Sequence, residues 1–97
     1  MKYHLPERTE REIIALAIKN NLEKVILFGS RARGDNTEKS DIDLAVKGTN
    51  IDSFYWDIKE NLNSLLICDI IDLDSGISDD LNREIKKDGV IIYEKAR

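Results

Sequence analysis

The sequence predicts an α/β (α+β) fold with a small mixed β-sheet and flanking helices. Helical and extended segments alternate at short spacing, and no repeat or low-complexity tract interrupts them. Hydrophobic residues make up 41% of the 97 residues and charged residues 35%, a balance typical of a globular protein with one modest core. We therefore expect residues 1–97 to form a single domain.

The first helix is predicted from Pro6 to about Asn20. Proline suits the first turn of a helix, and glutamates follow it near the positive end of the helix dipole. Apolar residues then recur at helical spacing between Ile13 and Ile18. This pattern predicts an amphipathic helix that covers one face of the sheet.

Two later helices are predicted from capping residues and apolar spacing. The first is expected to be capped by Asp52 or Ser53, and the second by Ser78, with Gly89 just past its end. The inner face of the first of these helices is marked by Phe54, Ile58, Leu62 and Leu65.

Short apolar runs predict the strands of the sheet. A turn that begins a short helix is expected at residues 29–34, between the first and second predicted strands. The predicted strands are Val25–Phe28, Asp41–Val46, Leu66–Leu73 and Val90–Tyr93.

Charge and hydropathy exclude several functional classes. The formal net charge is −4, so the chain lacks the basic excess that a nucleic-acid binder uses to contact phosphates. No apolar run approaches the roughly 20 residues needed to cross a bilayer. Residues 1–6 also lack the apolar core of a secretory signal. We expect a cytoplasmic protein that acts neither in a membrane nor directly on nucleic acid.

The chain has few residues that bind soft metals. Cys68 is the only cysteine, which excludes an intramolecular disulfide, and it lies in an apolar run that predicts a buried, inert thiol. The only histidine is His4. A zinc site built from cysteine and histidine is therefore not expected, and any metal would be held by oxygen ligands, which favours Mg²⁺ or Mn²⁺.

A Gly-Ser pair, Gly29-Ser30, follows the first predicted strand. Glycine lets a phosphate approach the backbone closely, and the free N–H groups of the following turn can bind it. The hydroxyl of Ser30 adds a further donor. Considered alone, such a pair more often marks only a turn.

Two aspartates, Asp41 and Asp43, stand two residues apart in the second predicted strand, so their side chains point to the same face. Neighbouring carboxylates repel each other unless a cation lies between them. Mg²⁺ suits this arrangement because it takes a few carboxylates and keeps its other positions for water and phosphate oxygens. Considered alone, a solvated pair on an exposed sheet face explains the pattern equally well.

The two motifs lie at the ends of consecutive predicted strands that a short connection joins. Nucleotidyl transfer needs both parts, because one holds the triphosphate and the other holds metal that neutralises charge as the bond breaks. Together the motifs predict a site for a nucleoside triphosphate and Mg²⁺.

The chain resembles the polymerase-β-like nucleotidyltransferases in two segments, GSRARG at residues 29–34 and SDIDL at residues 40–44. Its length resembles that of the minimal (MNT) branch, and the resemblance covers most of the chain. The resemblance implies that Asp41 and Asp43 ligate two Mg²⁺ ions. It also implies that Gly29 and Ser30 hold the triphosphate, with ATP as the nucleotide donor.

The same family uses a third carboxylate on a later strand. The candidate strand offers Asp69, Asp72 and Asp74, and strand parity places Asp69 on the opposite face from the other two. Asp69 lies within the apolar run, where an unpaired charge is costly without a cation. We choose Asp69 and keep Asp72 as the alternative. The resemblance implies that Asp69 ligates a metal and acts as general base or positions the acceptor hydroxyl.

Two arginines lie inside the first segment. Arg33 is expected either to contact phosphate or to brace the loop through a carboxylate, and the sequence favours neither interpretation. Arg31 is expected to be solvated.

A chain of this size leaves little room for a module that selects an acceptor, so we expect the acceptor to be a macromolecule. MNT proteins are commonly encoded beside a HEPN-domain protein, a ribonuclease toxin that its MNT partner neutralises. The resemblance implies an antitoxin that transfers AMP to a tyrosine hydroxyl of the HEPN toxin. An exposed Trp56 beside Tyr55 would suit a partner surface, although an edge of the core is the interpretation we favour for Trp56.

Two other functions remain open. The protein could neutralise its partner by tight binding without catalysis, or it could be a small-molecule nucleotidyltransferase of the aminoglycoside-modifying type. The intact Gly-Ser pair and aspartates disfavour the first, and the missing acceptor module disfavours the second. The sequence leaves self-association open.

Overall fold

The computed structural model describes residues 3–62 and 67–96. These residues form four helices around a four-stranded mixed sheet, which confirms the predicted fold class. The helices are α1 (Glu7–Lys19), α2 (Ser30–Arg33), α3 (Ile51–Asn61) and α4 (Asp79–Asp88). The strands are β1 (Lys24–Phe28), β2 (Ile42–Lys47), β3 (Cys68–Asp72) and β4 (Val90–Glu94).

The strands lie in the order β3-β2-β1-β4. Strand β1 runs antiparallel to β2 and β4, whereas β2 and β3 are parallel. Parallel neighbours require a crossover connection, which α3 supplies. As a result, the C-terminal end of β1 meets the N-terminal ends of β2 and β3 at one end of the sheet.

Both faces of the sheet are apolar because alternate side chains of each strand point to opposite faces. Helices α1 and α3 cover one face, where Ile13 and Phe54 are fully buried. Helix α4 covers the other face, where Ile85 packs with Phe28 and Ala45. The first cluster is the larger, and the sheet is therefore held more firmly by α1 and α3 than by α4.

Helix α1 begins directly after Pro6 and ends before Asn20, as predicted. Ile13 and Ala17 are fully buried, whereas Ile18 is 59% exposed. The buried stripe of α1 is therefore narrower than the apolar residues of the sequence suggest.

Helix α3 begins earlier than predicted. Its N-cap is Asn50, and Asp52 and Ser53 lie exposed in its first turn. Asn50 makes no capping hydrogen bond with its side chain; instead its Nδ2 donates to the carbonyl oxygen of Asn20 at 2.9 Å. The start of α3 is thus fixed by a contact with the end of α1, which local sequence does not reveal.

Helix α4 matches its predicted signals. The hydroxyl of Ser78 accepts a hydrogen bond from the N–H of Leu81 at 3.2 Å, and Gly89 follows the last turn. None of the helices within residues 3–62 and 67–96 is long and apolar enough to cross a bilayer.

Three strands agree with their predicted ranges to within one residue at each end. The third predicted strand, Leu66–Leu73, is observed over Cys68–Asp72. Its first residue, Leu66, and the predicted core residue Leu65 lie outside the described residues.

Candidate active site

The Gly-Ser pair lies against an aspartate where β1 ends and β2 begins. Phe28 pairs with Asp43 across these strands, so Gly29 follows directly beside Asp43. Gly29 has a φ of +77°, and a Cβ placed on it would overlap Oδ2 of Asp43 and lie 3.3 Å from its Cγ. Only a residue without a side chain permits this approach. The structure therefore joins the two sequence motifs into one site.

Strand β3 adds a second carboxylate. Asp69 pairs with Asp43 in the parallel register, and adjacent strands lie about 4.8 Å apart. Asp43 and Asp69 project from the same face of the sheet, and Asp41, just before β2, is close enough for its charge to act on Asp43. Ala45, two residues after Asp43, packs against Ile85, which identifies this face as the one that α4 covers.

The three aspartates form a negatively charged cluster. Asp43 is half-buried, whereas Asp41 and Asp69 are exposed. Burial raises the pKa of Asp43 above its ordinary value, and the negative charges of Asp69, Asp41 and Glu84 raise it further against the opposing charge of Arg33. Because the charged form of Asp43 is disfavoured, a cation bound at this point would relieve both burial and repulsion.

The ligand atoms of this cluster fit Mg²⁺. Carboxylate oxygens suit a hard cation, and softer metals prefer nitrogen or sulfur ligands. In the two described ranges of the chain, no three histidine, cysteine, aspartate or glutamate side chains are arranged so that they could hold a metal ion together. Mg²⁺ does not require such an arrangement, since it is usually held by one or two carboxylates together with substrate phosphates. Asp41 and Asp43 would supply the carboxylates, and Asp69 would add an oxygen beside them.

Helix α2 turns the chain sharply after the Gly-Ser pair. The carbonyl oxygen of Gly29 accepts hydrogen bonds from the N–H groups of Ala32 and Arg33 at 3.1 Å each, and that of Ser30 accepts one from Gly34 at 2.8 Å. The first N–H groups of a helix have no partner within it. At the start of α2 these are the N–H groups of Ser30 and Arg31, and such groups can bind a phosphate.

Arg33 links α2 to α4. Its Nε donates to Oδ2 of Asp35 at 3.1 Å, and its guanidinium lies 3.6 Å from Glu84 and 3.7 Å from Asp88. The hydrogen bond with Asp35 raises the pKa of Arg33, and the two carboxylates of α4 add to the effect. In this structure Arg33 is paired with carboxylates, which matches the expectation that it braces the loop through a carboxylate.

The expectation that Arg31 is solvated is wrong. Arg31 is only 3% exposed, and its guanidinium donates to the carbonyl oxygens of Ser40, His4 and Glu38. The orientation of the short helix α2 turns this side chain inward. Two arginines two residues apart look alike in the sequence, so local pattern could not distinguish the buried one from the exposed one.

Asp72 and Asp74 lie away from the cluster. Asp72 pairs with Val46 near the opposite end of β2, and its Oδ1 accepts a hydrogen bond from the N–H of Asp74 at 2.9 Å. Asp69 is therefore the aspartate of β3 that the fold places beside Asp43. Glu84, also near Asp43, carried no signal in the sequence because only the packing of α4 brings it there.

Two other sequence expectations concern single side chains. Burial raises the pKa of the Cys68 thiol to about 12, in agreement with an inert thiol. The interpretation that Trp56 covers the edge of the core is wrong, because Trp56 is 59% exposed. Its ring instead meets that of Tyr55 edge to face, with centroids 5.4 Å apart.

Residues 11–97 match the family model described as "Polymerase beta, Nucleotidyltransferase". The chain belongs to this nucleotidyltransferase family. The match covers the Gly-Ser pair, β2 and β3, and so includes every element that forms the cluster at Asp43.

Solved structures of toxin–antitoxin complexes resemble this nucleotidyltransferase. One, described as a toxin–antitoxin with AMP-PNP, has a TM-score of 0.70 and 26% identity, with 89% of this chain and 73% of that chain covered. Another is a tri-AMPylated HEPN toxin of Shewanella oneidensis in complex with an MNT antitoxin. It has a TM-score of 0.65 and 25% identity, and covers 94% of this chain and 74% of that chain.

A curated relative of this nucleotidyltransferase is "Putative protein adenylyltransferase MJ0604" from Methanocaldococcus jannaschii, with 57% identity over 30 residues. The match covers 31% of this chain and 30% of the relative. The chain thus aligns with less than a third of the length of that relative.

Proposed function

We propose that this chain is a Mg²⁺-dependent protein adenylyltransferase that transfers AMP from ATP to a tyrosine hydroxyl of a HEPN ribonuclease toxin and thereby acts as its antitoxin. The observation that carries the proposal is the contact of Gly29 with the Asp43 carboxylate, with Asp69 paired beside it. That contact joins a phosphate-binding turn and a cation-binding cluster in one place.

The transfer exchanges the phosphoanhydride bond between the α- and β-phosphates of ATP for a phosphoester bond to the acceptor. The hydroxyl oxygen of the acceptor forms a bond to the α-phosphorus of ATP, the bond to the β-phosphate breaks, and pyrophosphate leaves. The hydroxyl proton passes to the carboxylate of Asp69. Bound Mg²⁺ would neutralise the negative charge that develops on the phosphate oxygens. Gly29 and Ser30 bind the triphosphate through backbone N–H groups and the hydroxyl.

The position of Asp69 supports a macromolecular acceptor. Strand β3 lies at one edge of the sheet, and Asp69 on it is exposed. A hydroxyl carried by another protein can therefore approach Asp69 from outside the fold. The similarity to a complex that contains a tri-AMPylated HEPN toxin supports the choice of acceptor, and the name of the curated relative supports AMP as the group transferred.

The test is incubation of the chain with α-labelled ATP, Mg²⁺ and the HEPN-type protein encoded beside it. We expect covalent label on the partner, and loss of at least about 100-fold in rate with Asp43→Asn. Asp72→Asn is the matched control, because Asp72 lies on the same strand as Asp69 but near the other end of β2. This control should label at the wild-type rate.

Other outcomes separate the alternatives. A stable complex without label would contradict adenylyl transfer and support a binding antitoxin. If the Asp43→Asn variant labels the partner at the wild-type rate, the assignment of the site is contradicted. Label on an aminoglycoside but not on the partner would support the small-molecule enzyme.

A further inference from the structure

Arg31 is unusual among the charged residues. In the part of the chain that the structure describes, Arg31 is the only charged side chain that is buried. Its Nε lies 3.1 Å from the carbonyl oxygen of Ser40, and its two terminal nitrogens lie 3.1 Å from that of His4 and 3.2 Å from that of Glu38. A buried guanidinium is costly unless such hydrogen bonds satisfy it.

These hydrogen bonds connect the two halves of the site. Arg31 follows Ser30 directly, and Ser40 precedes Asp41 directly. Among the described residues, the other hydrogen bonds of residues 36–40 stay inside that segment, between Thr37 and Ser40 and their neighbours. The guanidinium is therefore the link between the end of this segment and the phosphate-binding turn.

The shape of the side chain matters for this link. Arginine presents donors in a rigid planar fork, whereas lysine presents one flexible ammonium group. Lysine could keep the charge at this position but could not meet three carbonyl oxygens in the same geometry. The backbone of Arg31 adds to the contact, since its carbonyl oxygen accepts from the N–H of His4 at 2.8 Å.

We propose that Arg31 is a positioning residue that fixes the cation-binding aspartates, Asp41 first, relative to the Gly29-Ser30 turn. It touches neither phosphate nor metal and acts through the carbonyl oxygens of Ser40 and Glu38. The proposal rests on the proposed nucleotidyl transfer, because it concerns the same site. It predicts that loss of the Arg31 guanidinium weakens cation binding even when no transfer reaction takes place.

The test is titration of the full chain with Mn²⁺ alone. Electron paramagnetic resonance measures the free Mn²⁺ and so gives the affinity of the chain for this cation. Arg31→Lys should weaken Mn²⁺ binding about 10- to 100-fold, as loss of a group that orients metal ligands usually does. It should lower kcat for transfer with little change in KM for ATP. Arg8→Lys is the matched control, because Arg8 lies exposed on α1, and it should bind Mn²⁺ as the wild type does.

A second pair of variants covers the case in which Arg31→Lys does not fold. Insertion of two glycines between Glu38 and Lys39 keeps Arg31 but separates its carbonyl partners, in an exposed segment that tolerates added length. The same insertion between Ser75 and Gly76 is the control. Only the first insertion should weaken Mn²⁺ binding.

The outcomes separate this proposal from the proposed function. Wild-type affinity for Mn²⁺ in folded Arg31→Lys, or in the first insertion variant, would overturn the positioning role. A wild type that binds Mn²⁺ but labels no partner would overturn the adenylyltransferase proposal, while weaker Mn²⁺ binding by Arg31→Lys would still support the positioning role.

Discussion

At the scale of single residues, the site combines a close contact with an unfavourable charge. Gly29 admits the Asp43 carboxylate because it has no side chain. Asp43 is held half-buried among Asp41, Asp69 and Glu84, an arrangement that disfavours its ionised form. The charge of Asp43 therefore costs stability, and carboxylates with raised pKa values are common where charges are arranged for catalysis.

Asp43→Asn should stabilise the metal-free protein at pH 7. Folding raises the pKa of Asp43, so the folded state holds this proton more tightly than the unfolded chain. The ionised carboxylate therefore lowers the free energy of unfolding at pH values above the folded pKa, and this penalty disappears as the pH falls below the unfolded pKa of about 3.9. Urea unfolding in EDTA at several pH values measures the difference between variant and wild type.

The difference should be largest near pH 7 and should shrink as the pH falls toward about 3, where an ordinary aspartate is mostly protonated. Added Mg²⁺ should stabilise the wild type more than the variant. An Asp43→Asn protein that is less stable than the wild type at pH 7 without metal would contradict the role of charge repulsion at this site.

Gly29→Ala should impair the site more than Gly76→Ala. Both glycines have similar positive φ values, +77° and +78°. A Cβ at Gly76 meets no atom within 4 Å, whereas one at Gly29 overlaps the Asp43 carboxylate. Gly76→Ala should cost about 1–2 kcal/mol of backbone strain. Gly29→Ala should cost more and lower the transfer rate about 100-fold by displacing Asp43.

Thermal unfolding and the labelling assay measure the two effects. Gly76→Ala serves as the control for strain and should keep wild-type transfer. The close contact with Asp43 would be unimportant if the two variants lost equal stability and Gly29→Ala kept the full transfer rate.

At the scale of elements, β1, β2 and β3 each deliver one part of the site at the same end of the sheet. The antiparallel pairing of β1 and β2 brings Gly29 to Asp43, and the crossover through α3 brings Asp69 beside them. Helix α4 then covers this face and places Glu84 and Asp88 near Arg33. The position of α4 therefore affects the charge of the site.

Ser78→Ala should destabilise α4 by about 1 kcal/mol, because the Ser78 hydroxyl accepts a hydrogen bond from the N–H of Leu81. Ser78→Asp should keep the cap and serves as the control. Chemical denaturation measures the change in the free energy of unfolding. No difference between the alanine and aspartate variants would mean that the cap does not contribute to stability.

At the scale of the whole molecule, the sheet separates two clusters of unequal size. The cluster beneath α1 and α3 contains most of the fully buried side chains, among them Phe54, Ile13 and Leu44. The cluster beneath α4 contains Phe28, Ala45 and Ile85 as its buried members. The layer that covers the site is therefore the one with less buried apolar surface.

Helix α4 should open before the rest of the fold. A layer with few buried apolar contacts has a lower free energy of local opening than the central strands. Hydrogen exchange should therefore show faster exchange for amides of α4 than for those of β1 and β2. Equal protection of α4 and the central strands would show that the two layers unfold together.

The sequence by itself determined the order of the elements and indicated the candidate site residues. Apolar periodicity located α1 and the strands, and strand parity selected Asp69 over Asp72, because these signals depend on residues close together along the chain. The segments at residues 29–34 and 40–44 indicated a nucleotidyltransferase, and the family match confirmed it.

Only the tertiary structure decided which side chains meet. The burial of Arg31, the pairing of Arg33 with α4 and the start of α3 at Ile51 all depend on contacts between segments far apart in the sequence. Such contacts are fixed by the packing of helices against the sheet. Local propensity is a weak predictor of them because tertiary packing overrides it.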